Sequence, residues 1–117
     1  MKRMIRSNYG FEAKSADGLL SVTLHGEIDH HGAVGLREDL DRLIIRERPR
    51  KLQLNLSRIE FMDSAGLGLL MGRYRLMREM GGVTAISSPN PRVMKILHLA
   101  GMERYFEIED APKGERI

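Results

Sequence analysis

The sequence predicts a single α/β domain with a mixed sheet of four to five strands and amphipathic helices, in the order β-β-α-β-α-β-α-β. Three observations carry that expectation. Segments whose apolar residues alternate with period two are interleaved with segments of helical period. Glycine, proline and Asx residues punctuate the junctions. The chain has 117 residues, enough for one modest core and no more. No internal repeat, low-complexity tract or linker divides it, so residues 1–117 are read as one domain with its core at about 11–109.

Residues 11–14 are expected as a first strand, with Ala16-Asp17-Gly18 supplying the turn. Leu20, Val22 and Leu24 then alternate with Ser21, Thr23 and His25, and the two segments form a hairpin. A polar loop, Gly26-Glu27-Ile28-Asp29-His30-His31, ends that strand. From Ala33 the period changes: Leu36, Leu40, Leu43 and Ile44 recur at helical spacing until Pro49 stops them. Leu52, Leu54 and Leu56 give the next strand. The second helix carries Leu67, Leu70, Met71, Tyr74 and Met77 on one face and ends at Gly81-Gly82. Residues 83–87 read as a strand, and Ser88-Pro89-Asn90-Pro91 launches a third helix. Val93, Ile96, Leu97 and Ala100 are expected to point inward there, with Gly101 as the stop. Tyr105, Phe106 and Ile108 make a last apolar run, read as an edge strand.

The chain is organised around residues 59–68, where a buried strand hands over to a helix. Asp63 and Ser64 fall at the helix start, where four backbone N–H groups lack intrahelical partners. Gly66 and Gly68 remove side-chain bulk, so another surface can approach the backbone. A serine hydroxyl in such a place is exposed and suited to carrying a phosphate. The plainer alternative is that Ser64 or Asp63 simply caps the helix.

Composition narrows the function classes. Hydrophobic residues make up 42% and charged residues 30%, the balance of a folded soluble domain. No apolar run approaches the ~20 residues that span a bilayer, and the basic N-terminus has no apolar stretch after it, so neither a membrane segment nor a signal peptide is expected. A cytoplasmic protein is the expectation. With no cysteine there is no disulfide or thiolate metal site. The net charge of +3 and a pI near 9.5 raise nucleic acid as a partner. Yet the cluster Arg42, Arg46, Arg48, Arg50 and Lys51 lies at a helix C-terminus and lacks interleaved aromatics, so no direct nucleic-acid binding is expected. His25, Glu27, Asp29, His30 and His31 lack a helical metal-binding spacing; no metal and no cofactor are expected. Met62, Met71, Met77, Met80, Met94 and Met102 are expected as core filler.

Asp63-Ser64-Ala65-Gly66-Leu67-Gly68, following Leu54-Asn55-Leu56, resembles the signature of STAS-domain anti-anti-sigma factors. Gly26-Glu27-Ile28-Asp29-His30-His31 is similar to a narrower signature, that of the sporulation branch which antagonises the anti-sigma F factor. Gly72-Arg73-Tyr74 and Gly81-Gly82 also match, and the likeness spans residues 20–108. The resemblance implies the STAS fold and a partner switch. Unphosphorylated members bind an anti-sigma factor that is also an ATP- or ADP-bound serine kinase, and so free the sigma factor. The kinase phosphorylates the serine after the motif aspartate, here Ser64, and a serine phosphatase restores it. Asp29 matches a carboxylate offered to an arginine of the kinase, although it could equally cap the first helix. The implied docking set is Asp29, Asp63, Ser64, Ala65, Gly66 and Leu67. Two departures stand out. Ala65 replaces a residue that is often Ser or Thr, leaving Ser64 the only hydroxyl at the motif. The tail Ala111-Pro112-Lys113-Gly114 carries helix breakers where relatives finish with a helix.

Three other readings use the same residues. An enzyme would make Ser64 a nucleophile, but the Gly-x-Ser-x-Gly elbow is missing. A stressosome-type STAS scaffold would form a large particle, whereas the switch is expected as a monomer or small dimer, the monomer foremost. A stress-response antagonist would use the same chemistry with another kinase.

Overall fold

The computed structural model describes the backbone of residues 2–5 and the whole of residues 9–111. Strand β1 (Lys2–Ile5) is followed by β2 (Tyr9–Ala16), β3 (Leu19–Ile28), helix α1 (His30–Glu47), β4 (Lys51–Met62) and α2 (Ser64–Glu79). Then come β5 (Val83–Ser87), α3 (Pro91–Leu99), a 3-10 turn (Met102–Arg104) and β6 (Glu107–Glu109). The expected β-β-α-β-α-β-α-β order is therefore present as β2 to β6, and β1 adds a further edge strand. The tail beyond Ala111, with its helix-breaking residues, lies outside the described residues.

The sheet runs β1-β2-β3-β4-β5-β6 in space as it does in sequence. β1 and β2 are antiparallel neighbours, as are β2 and β3; every later pair is parallel. The β2–β3 hairpin closes on Asp17 and Gly18, both at positive φ (52° and 81°), the primed turn that suits strand twist. Three successive crossovers then advance in the same direction across the sheet, which stacks their helices on one face. On that face Phe11, Leu20, Val22, Leu24, Leu52 and Leu54 meet Leu36, Leu40, Ile44, Leu70 and Met77 in one buried cluster.

The helix ends follow the sequence signals. α1 stops at Arg48, which adopts a left-handed conformation (φ 46°) and donates its N–H to the Ile44 carbonyl just before Pro49. Gly81 (φ 80°) follows α2 and Gly101 (φ 69°) follows α3. Asn90 caps α3 through Val93 N–H at 2.9 Å, and its amide donates to the Ile59 carbonyl at 3.0 Å, tying that helix to β4. One expected inward residue is not: Ala100 is exposed, because α3 ends at Leu99 and the chain turns away. The methionines behave as core filler, with Met62, Met77, Met94 and Met102 buried and Met71 and Met80 packed on the cluster. The basic cluster has structural work to do: Arg50 donates to the Asp17 carbonyl, Lys51 pairs with Glu109 at 3.0 Å, and Arg46 sits in the last turn of α1.

Candidate functional site

The site is built where β3 and β4 reach their C-terminal ends side by side. β4 is two residues longer than β3 over the paired stretch, and its register slips once between Thr23 and His25 and again between Gly26 and Glu27. These irregularities bring Ile28 opposite Met62 as the last pair of the ladder. The next residues, Asp29 and Asp63, are extended and each caps the helix that follows. Asp29 Oδ1 accepts from Gly32 N–H at 2.9 Å, and Asp63 Oδ1 accepts from Ala65 N–H at 2.8 Å. Two helix N-termini thus open on the same end of the sheet, and their unpaired N–H groups make it favourable to negative charge.

Because Asp63 takes the capping role, Ser64 becomes the first residue of α2 and its side chain is released from it. Ser64 is exposed, and no protein hydrogen bond holds its hydroxyl among the described residues. Asp29 is exposed too, and its cap uses one carboxylate oxygen, so capping does not preclude a contact with a partner. Gly66 is buried: a Cβ there would run into the Met62 side chain, so its role is close packing of α2 on β4. Gly68 differs, since a Cβ there would meet nothing within 4 Å. Ala65 and Leu67 are half-buried, Leu67 with part of its surface against the core. Of the six residues that the resemblance implies for docking, five run consecutively from the end of β4 into α2 and Asp29 holds the matching corner after β3; Ser64 and Asp29 are exposed and Gly66 is buried.

Sequence reasoning missed several neighbours. Between the first turns of α1 and α2 lies a depression of about 280 Å³, bordered by His30, Val34 and Arg37 on one side and Ala65, Gly68 and Leu69 on the other. Phe61, three residues before Ser64, is 48% exposed. Below the depression Arg73 is buried and its Nε lies 2.8 Å from Asp41 of α1. Burial holds the Arg73 pKa below its ordinary value and the Asp41 pKa above its own, in each case against their mutual attraction. Gly68 is expected from the sequence to leave room for another surface, and the helical period of α1 could have placed Val34 and Arg37 beside it; nothing local marks Phe61 as outward. Among the described residues no group of three His, Asp or Glu side chains could hold a metal. No helix there is long and apolar enough to cross a membrane.

A STAS domain profile matches residues 10–113. The anti-sigma F factor antagonist of Paenibacillus polymyxa is 37% identical over 103 residues, covering 88% of each chain. The chain belongs to the STAS-domain anti-sigma factor antagonists. Members of this family are regulators rather than enzymes. Two solved structures extend the likeness of this antagonist. The anti-sigma factor antagonist SpoIIAA in its unphosphorylated form aligns with a TM-score of 0.74 at 29% identity, over 90% of both chains. The Bacillus cell fate determinant SpoIIAA in the phosphorylated form aligns at 0.67 and 28% identity, over 90% of this chain and 94% of that one. Relatives of the antagonist thus exist in both phosphorylation states with one fold.

Proposed function

We propose that the chain is a partner-switching antagonist. Unphosphorylated, it binds an anti-sigma factor and frees a sigma factor; phosphorylated at Ser64 by that anti-sigma factor acting as a kinase with ATP, it lets go, and a serine phosphatase resets it. One observation carries the assignment to Ser64: its hydroxyl is exposed at the first position of α2, while the adjacent Asp63 has taken over the cap. The domain acts as a single unit, and as a monomer, in this scheme.

The physics of the switch is electrostatic. A phosphoserine adds about −1.5 to −2 charge at neutral pH. The α2 N-terminus favours an anion there, so the fold tolerates the group, while Asp29 and Asp63 make the surrounding surface still more negative. A partner bearing ATP phosphates or carboxylates at the contact would be repelled, and like-charge juxtaposition costs several kcal/mol. At about 1.4 kcal/mol per tenfold in affinity, half of that empties a micromolar complex without moving the backbone. The test is to incubate the chain with ATP and an anti-sigma F factor and map the modified residue by mass spectrometry. Phosphate on Ser64 alone is the expected result; modification elsewhere, with Ser64→Ala still modified, would overturn the assignment.

A further inference from the structure

A phosphate on Ser64 expels a partner, but it does not explain what holds that partner beforehand. A hydroxyl and two carboxylates already engaged as helix caps offer little surface whose desolvation favours binding. Stable protein interfaces bury about 800 Å² on each partner, and a few apolar or aromatic side chains near the centre carry most of the affinity. A circle of that area drawn around Ser64 has a radius of about 16 Å. The described residues include six large apolar side chains that are exposed: Val34, Ile45, Phe61, Val83, Leu99 and Tyr105. Ile45 and Leu99 sit near the C-terminal ends of α1 and α3, and Val83 and Tyr105 near the starts of β5 and β6. All four are toward the end of the sheet opposite Ser64.

Phe61 and Val34 are different. Phe61 precedes Ser64 by three residues, about 10 Å of extended chain, and stands opposite the exposed Glu27 in the β3–β4 register. Val34, 40% exposed, borders the depression that Ala65 and Gly68 also line. One lies on the strand side of the serine and the other on the side of α1. We propose that Phe61 and Val34 are the two apolar anchors on which the anti-sigma factor docks, astride Ser64. This rests on the Ser64 switch for the position of the footprint.

The chemistry of the occupant follows from the depression. Its volume of about 280 Å³ has room for an aliphatic side chain, the site of Gly68 is open, and the exposed Arg37 borders it, bringing a positive charge that favours an acidic partner residue. The fitting partner segment presents an aliphatic residue close to an acidic one, and beside it an apolar surface for the Phe61 ring.

The experiment titrates ADP-loaded anti-sigma F factor, which cannot phosphorylate Ser64 and belongs to the partner class named by the Paenibacillus polymyxa relative, with the wild-type chain and with Phe61→Ser, Val34→Ser, Tyr105→Ser and Ser64→Asp. Urea unfolding of each variant accompanies the titration. Phe61→Ser and Val34→Ser are expected to weaken binding at least tenfold with native unfolding midpoints, and Tyr105→Ser to bind as wild type. Where a serine variant unfolds, Phe61→Gln and Val34→Thr take its place with the same expectation. Binding by both anchor variants within twofold of wild type overturns the proposal, as does an equal loss in Tyr105→Ser. The switch fails separately: Ser64→Asp binding like wild type, with both anchor variants weakened, removes the switch and leaves the anchors standing.

Discussion

Asp29 and Asp63 occupy equivalent places one residue beyond the Ile28–Met62 pair, and each caps the helix that leaves its strand. The pairing makes the docking end of the molecule two parallel copies of the same corner. Only the second copy places a hydroxyl directly after its aspartate; the first places His30 there. The shared geometry also means that each carboxylate has a structural task that can be separated from any task toward a partner.

That separation can be measured at Asp29. Asparagine caps helices about as well as aspartate, whereas alanine costs about 1 kcal/mol. Asp29→Asn is therefore expected to unfold at the wild-type denaturant midpoint and to bind the anti-sigma factor at least fivefold more weakly. Asp29→Ala is expected to lose stability as well. Equal binding by Asp29→Asn and wild type, followed by calorimetry, would leave Asp29 a cap alone.

The two motif glycines should respond with opposite sign. Gly66→Ala forces a Cβ into the Met62 side chain and is expected to destabilise by about 1–3 kcal/mol. Gly68→Ala enters open space in a helix, where alanine is preferred by up to about 1 kcal/mol, and is expected to raise the melting temperature. Thermal unfolding of the two single variants side by side reads both.

The Asp41–Arg73 pair tests how α1 is held against α2. The Arg73 side chain is only 6% exposed while that of Asp41 is 34% exposed, so the pair is lopsided and the guanidinium bears most of the desolvation. Asp41→Asn leaves that buried cation without its counter-charge and is expected to cost about 3 kcal/mol in urea unfolding. Asp41→Leu combined with Arg73→Met removes both charges and is expected to recover most of the loss.

Acid sensitivity has one identifiable source at the sheet edge. Glu109 accepts from Gln53 at 2.7 Å and pairs with Lys51 at 3.0 Å, and these contacts, Gln53 foremost, hold its carboxyl below the ordinary value of 4.5. A carboxylate whose pKa is depressed on folding stabilises the native state above its unfolded value and loses that contribution as pH falls through the folded one. Between neutral pH and about pH 3, Glu109→Gln is thus expected to lose less stability than wild type. The difference is small because the site is near solvent, and urea midpoints at the two pH values measure it.

Much of this was legible in the sequence because the signals were local. Period-two runs gave β2, β3 and the first half of β4; Asp17-Gly18, Pro49, Gly81 and Asn90-Pro91 marked the turns and helix ends where they occur. Other features depend on distant partners. β1 is defined only by its pairing with β2. The second half of β4 hides because two register slips replace alternation: Ser57 and Arg58 point outward before the buried Ile59, then Glu60 and Phe61 before the buried Met62. That is why Phe61 escaped notice beside a motif that did not. The burial of Arg73, a residue named only for its family likeness, escaped likewise, since a charge on the inner face of α2 makes sense only with Asp41, thirty-two residues earlier.

The most direct measurement compares one preparation of the chain before and after complete phosphorylation, titrated into the same anti-sigma F factor by calorimetry, with circular dichroism recorded on both. The account requires the fold to be unchanged and the affinity to fall at least a hundredfold once Ser64 carries phosphate. Equal affinity of the two forms would contradict it.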